Sequence, residues 1–167
     1  MHGITWQAVC IALLLVVAGC GISDPEILSL RESFLLEAEP PGATGVLDLR
    51  EMFTGEAVDV VVVGQIGGVV DPWSPGLASF VIADPIATVG DAGHDELCDC
   101  PFCRKTTDET EGLALVQFLD QDGEILAHDP RRLFGVDKDQ VVVVQGRAEM
   151  TGLGHIVVAA RGMYVRR

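Results

Sequence analysis

Five apolar segments of strand length, separated by turn-forming residues, are the feature that most limits the fold of this chain. In the first segment, Val58–Ile66, apolar side chains at alternate positions such as Val60 and Val62 share one face of a strand. Gly64 interrupts this segment and predicts a bulge or a bend. The fourth segment contains the continuous valine run 141–144, which is typical of a strand buried on both faces. The predicted strands cover residues 58–66, 77–83, 113–119, 140–149 and 155–165.

One short helix is predicted between the third and fourth segments. Asp129 caps it, Pro130 lies in its first turn and Gly135 ends it. The order of three strands, a short helix and two strands resembles the OB-fold. The resemblance covers about residues 58–167 and implies a mainly β fold, a five-stranded OB-fold-like Greek-key barrel with one short helix. A small β-sandwich is the alternative.

A short apolar run precedes Cys20. Residues 8–18 form an uninterrupted run of 11 apolar residues, whereas a membrane-spanning helix requires about 20. The run continues as Val17, Ala18, Gly19 and Cys20, and this order of an apolar residue, two small residues and a cysteine resembles the lipobox of bacterial lipoproteins. The resemblance implies that the signal peptide is cut before Cys20, that the Cys20 thiol is diacylated and that the new amine is acylated.

These patterns divide the chain into three parts. Residues 1–19 are the predicted signal peptide, and residues 58–167 are the predicted barrel with an irregular segment at 84–112. Residues 20–57 form a lipidated N-terminus that either acts as a tether or packs on the barrel. Within them, Ser23 and Glu26 have the spacing of a capping box and predict a short helix over residues 25–31. We expect the lipid to hold the domain in the cell envelope, on the extracytoplasmic (periplasmic) face of a membrane.

The irregular segment contains a histidine and three cysteines within ten residues: His94, Cys98, Cys100 and Cys103. The Cys-x-x-Cys pair has a proline after its first cysteine and a basic residue after its second, and it resembles the knuckle of a zinc ribbon. Cys98 and His94 would complete the four tetrahedral positions that structural Zn(II) prefers. Thiolates also suit Cu(I), which is the alternative metal.

Two other interpretations of the same cysteines remain open. Exported proteins usually oxidise their cysteines, but loss of Cys10 with the signal peptide and acylation of Cys20 leave three, so a disulfide would leave one thiol. This odd number favours a metal site. Residues 100–103, Cys-Pro-Phe-Cys, also resemble the active-site motif of glutaredoxins, which implies an extracytoplasmic thiol or metal-dependent redox protein. The βαβ unit that holds the glutaredoxin motif is absent from the pattern.

The charge of the chain argues against nucleic acid as a partner. The formal net charge is −14, and every charged residue lies at or after Asp24, so the exported part would repel a phosphate backbone. We expect Arg147, Arg161, Arg166 and Arg167 to pair with the chain's own carboxylates rather than form a binding patch.

The sequence contains no recognisable catalytic motif. A nucleophile elbow, a zinc-protease helix and a Walker phosphate loop are all missing. The sequence therefore predicts a non-enzymatic binding or structural lipoprotein. Trp73, which lies in a predicted turn, is the best candidate for an exposed aromatic contact.

Overall fold

Five strands close into a barrel, in the order β1, β2, β3, β5, β4. The computed structural model describes residues 24–85 and 111–167. Only β3 and β5 are parallel, and the other four pairs are antiparallel. This is the expected OB-fold-like barrel, and its closure excludes the β-sandwich. The strands are β1 Val58–Ile66, β2 Ser79–Ala83, β3 Leu113–Phe118, β4 Val141–Met150 and β5 Ile156–Val165, and the helices in the described residues are α1 Pro25–Phe34, α2 Val46–Met52 and α3 Pro130–Phe134.

The strand directions sort the connections between the two ends of the barrel. The β1–β2 connection, residues 67–78, and the β3–β4 connection, residues 119–140, lie at one end, which we call the α3 end. The β2–β3 connection, residues 84–112, and the β4–β5 turn, residues 151–155, lie at the other, which we call the hairpin end. The segment that carries the Cys/His cluster therefore leaves the barrel at the hairpin end.

Gly64 allows a close approach of two strands and does not form a bulge. The β1–β4 register runs without a shift through Gly64. A Cβ atom at this position would lie 2.9 Å from the Cβ atom of Ile82 on β2, a distance that packed side chains do not tolerate. The register shift of the barrel lies instead between Gln145 and Gly146, in the β4–β5 pair.

An aromatic cluster fills the α3 end of the core. Phe118 of β3 is fully buried, and its ring centroid lies 4.4 Å from that of Phe134 and 5.3 Å from that of Phe34. Phe80 of β2 completes the cluster at 6.0 Å. Helices α1 and α3 thus cover the barrel with aromatic rings. Phe80, Phe118 and Phe134 each lie in an apolar stretch of the sequence, as is typical of core residues.

Residues 24–57 pack on the barrel and do not form a free tether. Helix α1 begins at the Asp24 cap, whose carboxylate accepts a hydrogen bond from the Glu26 N–H at 3.1 Å, and extends three residues beyond the predicted end. Helix α1 packs against α3, where the Arg31 Nε–H donates to the carbonyl of Leu133. Further along, the Thr44 N–H donates to the carbonyl of Val61 at 3.0 Å. Helix α3 begins and ends as predicted, whereas α2 was not predicted.

We predict that Phe118→Ala destabilises the protein by about 3–5 kcal/mol, because the substitution removes a buried ring that contacts three others. Urea unfolding followed by circular dichroism measures the loss. Val70→Ala is the control, since Val70 is 97% exposed and its truncation should change stability by less than about 0.5 kcal/mol. Equal losses for the two variants would contradict the proposed core.

Candidate functional site

The structure fixes the two ends of the segment that carries the Cys/His cluster. The predicted lipidation site and the predicted metal ligands themselves lie outside the described residues. The Asp84 N–H donates a hydrogen bond to the carbonyl of Gly112 at 2.8 Å. The two residues that flank the segment, Asp84 and Gly112, therefore lie side by side. The residues outside the described part are Cys20, His94, Cys98, Cys100 and Cys103.

The side chain of Asp84 also caps the N-terminus of helix α2. The N-cap of this helix is Gly45, which has no side chain to accept a hydrogen bond. The carboxylate of Asp84, which is only 3% exposed, takes this role and accepts from the Leu47 N–H at 3.0 Å. A Cβ atom on residue 45 would lie 2.5 Å from the Asp84 Oδ2 atom. The glycine is thus needed for the carboxylate to reach the helix.

Arg50, in the last turn of α2, holds the other end of the segment. Its Nε–H donates to the carbonyl of Glu111 at 2.8 Å, and an Nη1–H donates to the carbonyl of Gly154 at 2.8 Å. The guanidinium therefore joins the returning chain to the β4–β5 turn. We call Asp84, Arg50, Glu111 and Gly112 the loop base.

The loop base is a positioning device. The Asp84 carboxylate caps α2, and the Arg50 guanidinium binds two backbone carbonyls. Helix α2 therefore contacts the described residues at both ends of the segment. Sequence reasoning missed both residues. The one signal for Asp84 was a helical segment that begins with a glycine and needs an acceptor from elsewhere.

Histidines in the described residues do not assemble a metal site. Within residues 24–85 and 111–167, no group of three or more histidine, cysteine or acidic side chains is arranged to hold a metal ion. The His128 Nε2 atom lies 3.5 Å from the Glu26 Oε1 atom. The backbone N–H of His155 donates to the Thr151 hydroxyl at 3.1 Å. These two histidines have the polar surface roles that their positions indicate.

Arginines of the barrel pair with the chain's own carboxylates. The Arg161 Nη1 atom lies 3.0 Å from the Asp59 Oδ1 atom, and the Arg166 Nε–H donates to Glu39 Oε2 at 3.0 Å. The hydrogen bonds from Arg166 hold the pKa of Glu39 below its ordinary value. The prediction of internal pairing is confirmed for these two arginines.

Trp73 is half-buried, so its prediction as an exposed contact is wrong. Its ring packs edge-on against Phe80, with centroids 5.8 Å apart, and the Arg131 guanidinium carbon lies 5.5 Å from its centroid. Arg131 in turn donates to Asp129 and lowers the pKa of that carboxyl. The turn that carries Trp73 is thereby fixed to the barrel and to α3.

No protein-family model matches this chain, and no curated protein matches it in sequence. Among the helices of the described residues, none has the length and apolar character needed to cross a bilayer. A functional assignment therefore rests on the residues of this chain.

We predict that Gly45→Ala destabilises the protein by about 1–3 kcal/mol, because the new Cβ atom displaces the buried Asp84 carboxylate. Asp84→Ala should cost about 1–2 kcal/mol through the lost cap. The double variant should resemble Asp84→Ala alone, since the crowded oxygen is gone. Urea unfolding of the four proteins measures this coupling.

Gly152→Ala is the matched control, because its Cβ atom would have no neighbour within 4 Å. Its stability should stay within about 0.5 kcal/mol of the parent. If Gly45→Ala were equally destabilising with and without Asp84, the carboxylate would not be the group that requires the glycine.

Proposed function

We propose that this chain is a lipid-anchored extracytoplasmic binding or structural lipoprotein, in which an OB-fold-like barrel carries a metal site formed by His94, Cys98, Cys100 and Cys103. The observation that carries the proposal is the loop base. The segment with all four ligands begins and ends at one hydrogen-bonded point, where Asp84 meets Gly112. The barrel around it closes through its own strand pairs.

This arrangement suits a metal site on which the fold of the barrel does not depend. The core that the described residues form comes from β1–β5, α2 and α3, together with Ala78 and Val136 in the adjoining connections. A metal would therefore order its own segment, whereas the barrel keeps its apolar core when the metal is removed. Because the four proposed ligands lie within ten residues of sequence, the loop that closes when they converge on a metal is short and costs little entropy.

The donor set favours Zn(II), with Cu(I) as the alternative. Three thiolates and one imidazole form one of the ligand combinations of tetrahedral structural zinc sites. Binding requires deprotonated thiols and a neutral imidazole, so it releases protons and weakens as the pH falls. The function that follows is binding, metal handling or envelope assembly at the membrane, and nucleic acid is not a proposed partner.

The lipid anchor is tested with Cys20→Ser. The variant should lose the acyl groups and either stay uncut or appear in the soluble fraction, because the thiol is the acceptor of the diacyl lipid. Detergent phase partition and mass spectrometry of the N-terminal peptide measure both effects. Processing and membrane retention equal to the parent would reject the anchor.

The metal site is tested by elemental analysis of protein purified without added metal, together with mass spectrometry for disulfides. Cys100→Ser and Cys103→Ser should each abolish stoichiometric metal, and His94→Ala should weaken binding if water takes the fourth position. His155→Ala is the control, since only the backbone of this exposed histidine makes a described hydrogen bond. Chelation should leave the far-ultraviolet circular dichroism of the barrel unchanged.

A different result separates the alternatives. If the reduced protein takes up no Zn(II) and forms a Cys100–Cys103 disulfide again, the metal site is wrong. Turnover of a disulfide substrate by that pair would then assign a thiol redox function, and an inert pair would assign a stapled structural loop.

A further inference from the structure

The described chain begins at the α3 end of the barrel. The Glu26 carboxylate, in the first turn of α1, lies 3.5 Å from the ring of His128, which directly precedes the cap of α3. Later in the same helix, Arg31 donates to the carbonyl of Leu133. Asp24, at the start of α1, therefore lies beside α3.

The tip of the β1–β2 connection lies at this same end and exposes two valines. Val70 is 97% exposed and Val69 is 37% exposed. The Lys138 ammonium donates to the carbonyl of Val70 at 3.4 Å, and the Gln65 side chain donates to the carbonyl of Asp139 at 3.0 Å. These contacts join the tip to the β3–β4 connection, so the valines project from a surface that the barrel holds in place.

The distance from the predicted anchor to the barrel is short. Cys20 precedes Asp24 by four residues, and four residues span at most about 14 Å. Strand β5 has 10 residues, which gives a length of about 30 Å and a height of about 23 Å along the axis of a tilted barrel. A lipid on Cys20 would therefore keep the start of α1, and with it the α3 end, close to a bilayer, whereas the hairpin end lies one barrel height further along the axis.

We propose that the α3 end rests on the bilayer surface and that Val69 and Val70 enter its headgroup region, with the loop base facing away from the membrane. This proposal depends on the acylation of Cys20 that the proposed function includes. Residues 67–70 of the tip carry no charge of their own, and the Lys138 ammonium lies beside them. A zwitterionic lipid surface is therefore the partner that this tip fits, in a chain whose net charge is −14.

Tryptophan quenching by brominated lipid tests this orientation. Val70→Trp and Leu153→Trp form a matched pair, because both residues are exposed at turns, at 97% and 85%, and they lie at opposite ends of the barrel. Each full-length acylated protein is incorporated into phosphatidylcholine vesicles with and without bromine on the acyl chains. The added emission of Val70→Trp should fall roughly twofold and shift to shorter wavelength, as expected for an indole at the headgroup boundary. Emission from Leu153→Trp should be unchanged.

Mass spectrometry of the same samples separates the two proposals. If Cys20 carries its lipid and Val70→Trp is not quenched, the orientation is wrong, and the tip faces water, a second copy or another protein. Quenching of Leu153→Trp as strong as that of Val70→Trp also overturns it. A chain without acyl groups would reject the anchor and this orientation together, and Cys20→Ser should show no quenching in either tryptophan variant.

Discussion

The parallel pairing of β3 with β5 is the constraint on which the rest of this structure depends. It joins strands that are distant in the chain, from the Ala114–Ile156 pair to the Phe118–Ala160 pair. Without it, the antiparallel pairs would form an open sheet whose edges expose unpaired backbone groups. Closure satisfies those groups and places β3 beside β5. The start of β3 and the start of β5, which follow the β2–β3 connection and the β4–β5 turn, consequently lie next to each other at the hairpin end.

Helix α2 contacts the described residues at both ends of the segment that carries the Cys/His cluster. A helix of seven residues is too short to be stable by itself, and it depends on the barrel for burial of Val46 and Leu49 and for its cap. The first turn of α2 binds Asp84 at one end of the segment, and Arg50 in its last turn binds Glu111 at the other. Stability of the helix and position of the segment are therefore linked.

The two ends of the barrel differ in their chemistry. Aromatic rings and the docked helix α1 cover the α3 end, and the described chain starts there. At the hairpin end, the Asp84 carboxylate accepts a hydrogen bond from a backbone N–H, and the Arg50 guanidinium donates to two backbone carbonyls. A domain with this polarity can be fixed to a surface at one end and present a small site at the other, and this division motivates the two proposals.

The sequence by itself determined the approximate strands and helix α3. Burial alternates along β1, as the two-residue period of a strand requires, with Val60, Val62 and Ile66 on the buried face. Helix α3 carries its own cap in Asp129 and its own terminator in Gly135. These signals are local, so they can be read from neighbouring residues. The Cys/His cluster is an equally local pattern, as its four residues lie within ten positions of the sequence.

Only the tertiary structure decided the features that depend on distant residues. Helix α2 takes its cap from a carboxylate 37 residues away, so no local signal marks its start. Gly64 was interpreted from its strand and Trp73 from its turn, but the role of each comes from β2. Gly64 makes room for Ile82, and Trp73 packs against Phe80. The packing of residues 24–57, left open by composition, was decided by hydrogen bonds to β1, β5 and α3. Such contacts exist only after the barrel has closed, because closure brings these strands and helices together.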